Sequence, residues 1–359
     1  MRPRKGENEG EGRDMGQTDQ VPELPEIRRR AKESMQGICR VCRVCDGTVC
    51  AGEVPGMGGI GTGAGFIRNA RALADVKINM RVLHDAAEPD LRTTLFGLAI
   101  EMPVLGAPVA GVKINFRGLM SEADFAGAMV FGCLDAGTLA MTGDGGHPEV
   151  FASGITAIRE AGGRGIPIVK PGPNTDIIRK FKAAEAAGAP AVGIDVDAAG
   201  LVNMRLLGAP VGPKSPEDIR ELVRSTSLPL ILKGIMTPDE AEMALECGAA
   251  AIVASNHGGR ALDHTPGVAE VLPAIARAVK GKITILADGA VRTGVDVLKY
   301  LALGADAVLV GRPLAIGAFG AGRTGVARTL AAIRDDLRIA MILTGARTIR
   351  DIGPHVVWR

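Results

Sequence analysis

From residue 103 onward, apolar and polar positions alternate in a regular rhythm. Short runs rich in β-branched residues alternate with Ala-rich amphipathic stretches, and Gly or Pro marks most of the junctions. The runs cover residues 103–109, 137–142, 166–170, 191–196, 228–234, 250–254, 284–287 and 307–310. Helix-start signals lie between them. Ser121 opens one amphipathic stretch in a capping-box pattern, and Thr237 opens another three residues before Glu240. Eight alternations over about 240 residues predict a (β/α)8 barrel. A doubly wound open sheet shares the alternation but not the count.

The chain before residue 81 follows different rules. Residues 1–20 are polar and charged and predict a disordered leader. A basic helical stretch at 27–35 and a cysteine- and glycine-rich segment at 37–65 make residues 21–80 an N-terminal extension, and the barrel is expected over 81–359.

Composition removes several classes of function. Lys and Arg number 42 against 40 Asp and Glu, and aromatics are 3% of the chain, so neither a basic footprint nor a stacking platform for nucleic acid is present. No apolar run approaches the roughly 18 residues of a membrane span. The N-terminus lacks the apolar core of a secretory signal. Six cysteines in 359 residues are too few for a disulfide scaffold. A cytoplasmic protein forming a homo-oligomer is expected.

In a barrel, chemistry sits on the loops that follow the strands. The first run leads into Pro108, Val109 and Ala110, small residues that let backbone approach a flat ligand. The fourth run ends in Asp195 and Asp197, which share one side of the strand. The fifth ends in Lys233. The sixth ends in "SNHGGRALD", placing His257 between Ser255 and Arg260; the histidine is the candidate base and Asp197 its orienting carboxylate. After the seventh and eighth runs, Asp288, Gly289, Ala290, Val291 and Arg292, and then Gly311 and Arg312, combine exposed backbone N–H groups with guanidinium charge. That combination suits a phosphate.

The segments "LPLILKGI", "GAAAIVASNHGGRALD", "ADGAVRTGVDVLKYLALGADAVLVGRP" and "AAIRDDLRIAMILTGARTI" resemble the FMN-dependent α-hydroxy-acid oxidase/dehydrogenase family, closely over 215–352 and more weakly back to Arg81. The resemblance implies bound FMN, a small 2-hydroxy acid oxidised to a 2-oxo acid, and an electron acceptor that the sequence does not identify. It implies Pro108, Val109 and Ala110 against the flavin ring, with Thr142 or Gly143 and Ser255 near it. Lys233 would lie at the N1/O2 edge, and Asp288 to Arg292 with Gly311 and Arg312 along the ribityl phosphate. His257 would be the base, Asp197 its partner and Arg260 the grip on the substrate carboxylate. Two alternatives keep the flavin: an isomerase of the isopentenyl-diphosphate type, and an electron-transfer subunit working through the cysteine segment.

The departures from the family concentrate in the substrate pocket. The family's two substrate tyrosines have no counterpart, since the only tyrosine, Tyr300, falls in a helical stretch. Lys170 and Asp195 fall at strand-three and strand-four positions beside the flavin, and only Arg205 is available to replace a second substrate arginine.

Cys39, Cys42, Cys45 and Cys50 have the spacing C-x2-C-x2-C-x4-C, close to the cluster-binding run of bacterial ferredoxins. An iron–sulfur cluster, a zinc ion, or ordinary loop thiols are all compatible with it. "GMGGIG" at 56–61 satisfies a dinucleotide fingerprint, but it follows no strand and no helix clearly succeeds it. It reads as a flexible connector.

Overall fold

In a computed structural model, which describes residues 21–358, the eight runs become eight parallel strands of a closed barrel. A two-stranded hairpin, β1 (Thr93–Leu95) and β2 (Leu98–Ile100), precedes them. The barrel strands are β3 (Val104–Gly106), β4 (Ala140–Thr142), β5 (Gly165–Val169), β6 (Val192–Asp195), β7 (Leu230–Ile235), β8 (Ala251–Ala254), β9 (Thr284–Ala287) and β10 (Ala307–Val310). They run in sequence order, and β10 pairs with β3 to close the ring.

Strand parity divides the apolar residues into two layers. Leu105, Met141, Ile168, Ile231, Val253, Leu286 and Leu309 pack inside the barrel, and hairpin residues Leu95 and Ile100 join them to cap the interior. Their neighbours Val104, Ala140, Val169, Leu232, Ile252, Ile285 and Val308 belong to the larger outer layer, which the helices cover. Burial on both faces explains why the strands lack polar alternation.

The helix starts follow the capping logic. Ser121 accepts from the Asp124 N–H at the head of Glu122–Asp135, and Thr237 accepts from the Glu240 N–H at the head of Pro238–Glu246. The basic stretch near the N-terminus forms the helix Leu24–Ser34; its Ala31 and the capping residue Met35 are fully buried. The Ser34 hydroxyl donates to the Phe319 carbonyl in the last long helix, Arg312–Ile342, which kinks at Ala321 and Gly322. Residues 1–20, the expected leader, lie outside the described residues.

Candidate active site

The parity that fills the barrel also aims charge at its mouth. Lys170 lies two residues beyond Ile168, Asp195 four beyond Ala191, Lys233 two beyond Ile231, and Ser255 and Asp288 two beyond Val253 and Leu286. Each continues the inward-facing series past its last apolar member. Asp195 stands at the centre. Its Oδ2 accepts from Lys170 Nζ at 2.6 Å and its Oδ1 from Lys233 Nζ at 3.0 Å. Burial alone would raise the Asp195 pKa, but His257, Lys170 and Lys233 around it hold it well below the usual carboxylate range. Burial opposes the charge on Lys233 too, and Asp195, Asp197 and Asp288 together outweigh it and raise its pKa. Asp288 moves the other way: burial raises its pKa, with partial relief from Lys233 and Ser255.

The loop after β8 carries His257 in a left-handed conformation, φ 59°, followed by Gly258 and Gly259 at φ 64° and 77°. Such a run is uncommon for a side-chain-bearing residue and is held by its surroundings. The Ser255 hydroxyl accepts from the His257 N–H and donates to Asp288 Oδ2. Asn256 Oδ1 accepts from the Gly259 N–H and from Asn69 Nδ2, while Asn256 Nδ2 donates to Thr265 and Pro266. His257 Nδ1 lies 3.0 Å from Asp197 Oδ1. A nitrogen facing a carboxylate carries the proton, so the lone pair of the neutral ring is on Nε2.

Three arginines share the same mouth. Arg260 donates to the Gly56 and Gly58 carbonyls and, at 2.9 Å, to Asn115 Oδ1. Arg312 donates to the carbonyls of Met57, Gly58 and Gly258, with its guanidinium 3.7 Å from the Phe66 ring centre. Arg292 reaches the Cys45 carbonyl and sulfur. Burial lowers the Arg260 pKa to about 10. Burial, with repulsion from Arg260 and Arg292, brings Arg312 down to about 9. Three guanidinium groups held together with no carboxylate partner among the described residues make a site for anions.

The "GMGGIG" stretch is therefore a fixed part of the site and not the flexible connector that its composition suggests. Its carbonyls hold two of these arginines, Ile60 N–H donates to the Gly259 carbonyl, and the helix Ala64–Asp75 does follow it. A Cβ at Gly59 or Gly259 would press on Phe66, which shows how closely this roof meets the histidine loop.

Beneath the roof lies an open cleft of about 1250 Å³. Pro108, Val109, Ala110, Lys170, Asp195, Lys233, His257, Arg260, Asp288 to Arg292, Gly311 and Arg312 all line it. Thr142, Gly143, Ser255 and Asp197 are not among the residues that line it, and Thr142 packs toward Gly154 of the covering helix. A Cβ at Gly143 would meet Ala110 and Pro108, so this glycine supports the loop that faces the cleft. Arg205 is exposed on the short helix Val202–Leu206 and does not reach the cleft; Asn203 and Met204 do. Asn203 Nδ2 donates to Asn115 Oδ1, so two asparagines without any sequence signature brace Arg260. Asp144 is a further residue with no motif: buried, it pairs with Lys180 and accepts from the Lys170 N–H.

Fold and cleft define a (β/α)8 barrel whose mouth gathers Arg260, Arg292 and Arg312 beside His257. The profile of the family described as FMN-dependent dehydrogenase matches residues 57–206 and 207–359, and the chain belongs to that family. Bovine 2-hydroxyacid oxidase 2 is 32% identical over 321 residues, covering 80% of this chain and 88% of that protein. The 2-hydroxyacid oxidase of Dictyostelium discoideum is 46% identical over a shorter stretch of 141 residues, which covers 39% of this chain and 36% of that protein. A crystal structure of mandelate oxidase with (S)-2-phenylpropionate superposes with a TM-score of 0.73 at 28% identity, covering 94% of this chain and 97% of that one.

The residues present fit FMN. Asp288 Oδ1 and Arg292 Nε are buried in the cleft wall without a hydrogen-bond partner, one acceptor and one donor. A ribityl hydroxyl and a phosphate oxygen would supply the missing complements. Among the described residues, no helix is long and apolar enough to cross a membrane.

Proposed function

We propose that this chain oxidises a small 2-hydroxy acid to the 2-oxo acid, with FMN as its resident cofactor. The observation that carries the reading is the 3.0 Å contact between His257 Nδ1 and Asp197 Oδ1, which leaves Nε2 as a base at a cleft lined by Arg260. Bound FMN supplies the two-electron acceptor. The chain supplies the rest. His257 Nε2 takes the substrate proton, and Asp197 stabilises the imidazolium that results. Arg260 holds the substrate carboxylate with guanidinium donors directed by Asn115. Ile114, Leu201, Met204 and Leu207 form an apolar wall suited to the substituent on the hydroxy carbon. Pro108, Val109 and Ala110 would support one face of the flavin ring, Lys233 would neutralise charge at its N1/O2 edge, and Arg292, Gly311 and Arg312 would take the phosphate.

The loop that carries His257 and Arg260 together favours oxidation over isomerisation. The test is an anaerobic panel of 2-hydroxy acids followed by flavin absorbance. Bleaching by at least one acid, with the matching oxo acid formed in equal amount, supports the reading. No bleaching by any member overturns it. The cysteine segment is a second cofactor site in this proposal, for an iron–sulfur cluster or zinc, supported by the C-x2-C-x2-C-x4-C spacing.

A further inference from the structure

Residues 38–63 form the roof of the cleft with almost no core of their own: only Ile38 and Met57 bury large apolar side chains there. The segment holds its shape through backbone turns. Gly52 N–H donates to the Gly59 carbonyl, Glu53 N–H to that of Cys50, and Gly58 N–H to that of Glu53. Its outward carbonyls are taken by arginines from elsewhere: Arg28 on Val41 and Cys42, Arg292 on Cys45, Arg260 on Gly56, Arg312 on Met57, and both of the last two on Gly58. Such contacts are worth little each while the chain they hold keeps its entropy. A bound metal centre would supply the folding energy that the composition lacks.

The four cysteines are placed to do so. All four are free and half-buried, and they fall within one short stretch of the roof, residues 39–50. Yet among the described residues the only three or more ligand atoms within 4.8 Å of one another belong to Asp195, Asp197 and His257, so no three of these sulfurs converge that tightly. A tetrahedral zinc site, with Zn–S of about 2.3 Å, needs its sulfurs about 3.8 Å apart. An iron–sulfur cube gives each thiolate its own iron and spreads the sulfurs further. Beyond the Arg28 bond to the Cys42 carbonyl, two of the four cysteines adjoin the contacts of the cleft arginines. Arg292 donates to Cys45 Sγ at 3.5 Å. A Cβ at Gly58 would lie 1.9 Å from the Cys50 carbonyl, so the backbone that receives Arg260 and Arg312 rests on Cys50 itself.

We propose that Cys39, Cys42, Cys45 and Cys50 hold a four-iron cluster, and that this centre fixes the roof carbonyls which orient Arg260, Arg292 and Arg312, so that loading the cysteines tightens FMN binding. The proposal rests on the reading of FMN as cofactor. By linkage, the coupling works in both directions, and couplings of this kind typically change affinity about 5- to 150-fold.

Protein purified without oxygen should contain about four irons and four acid-labile sulfides per chain, with zinc at background. FMN affinity is then measured by fluorescence quenching on intact protein, on the same protein after ferricyanide has removed the cluster, and on Cys42→Ala and Cys45→Ala. Each cluster-free form should bind FMN at least about fivefold more weakly, and limited proteolysis should open within residues 37–65. The oxidised wild type keeps the test valid if the variants fail to fold. Stoichiometric zinc overturns the cluster, as does the absence of both metals. An FMN affinity unchanged on cluster loss overturns the coupling. The 2-hydroxy-acid panel at saturating FMN separates the readings: bleaching there, with no iron, leaves the proposed reaction standing and removes only this centre.

Discussion

Lys170 Nζ sits 2.6 Å from Asp195 Oδ2, while Lys233 Nζ takes the other oxygen of the same carboxylate. Two ammonium groups and one carboxylate, all but sealed from water, share the floor of the cleft. Removing one member leaves the others uncompensated, and that penalty exceeds what the intact group contributes.

Asp195→Asn should therefore destabilise the apoprotein by about 3–5 kcal/mol in urea unfolding at neutral pH. The pH dependence follows from the directions of the shifts. The depressed pKa of Asp195 gives stability that is present above its unfolded value of about 4 and is lost as pH falls toward the folded value. In the variant, that acid-side loss should disappear. An Asp195→Asn protein as stable as the wild type would mean that the lysines are neutral or otherwise partnered.

His257→Gln keeps a polar side chain in the loop but removes the base. Flavin reduction by the 2-hydroxy acid should slow by at least about 10²-fold while FMN content stays normal. Single-turnover absorbance measures this directly. An unchanged rate would take His257 out of the chemistry.

Arg312→Ala removes a guanidinium that meets three carbonyls and stacks on Phe66. FMN should dissociate at least about tenfold more readily, with little change in the reduction rate of the fraction that stays loaded, because a phosphate contact contributes uniform binding. Arg312→Lys should restore only part of the affinity, since a point charge cannot reproduce the planar fork. Normal retention in the alanine variant would assign the phosphate to Arg292.

Gly259→Ala tests the closeness of roof and histidine loop. At φ 77° a side chain is strained, and its Cβ would lie 2.2 Å from the Phe66 nitrogen, a backbone atom that cannot swing away. Both FMN affinity and flavin reduction should fall, and the melting temperature should drop. Wild-type behaviour would show that the two segments separate freely in solution.

Much of this architecture can be read from sequence. The strands announce themselves because burial on both faces leaves unbroken apolar runs, and Lys233, His257 and Arg260 stand out because each lies at the end of such a run or on the loop that follows it. Asn256, Asn115 and Asn203 do not stand out. Their partners are hydrogen-bonding groups far along the chain, and an isolated asparagine has no periodicity to betray it. The roof escapes for a related reason. Its glycines look like slack when the arginines that take up their carbonyls are some 200 residues away. Arg205 misleads in the opposite sense: the right chemistry near the right strand, on a helix face turned to solvent.

That separation along the chain bears on biosynthesis. The Met57 carbonyl waits for Arg312, 255 positions later, and the Cys45 carbonyl for Arg292, 247 positions later. On the ribosome, where chains emerge from the N-terminus at about 5–20 residues per second, the roof residues appear first and find their partners last. A nascent or prematurely terminated product carries the cysteines and glycines as unanchored chain, vulnerable to proteases. The cleft thus acquires its cover only after the strands that precede Arg292 and Arg312 have been made.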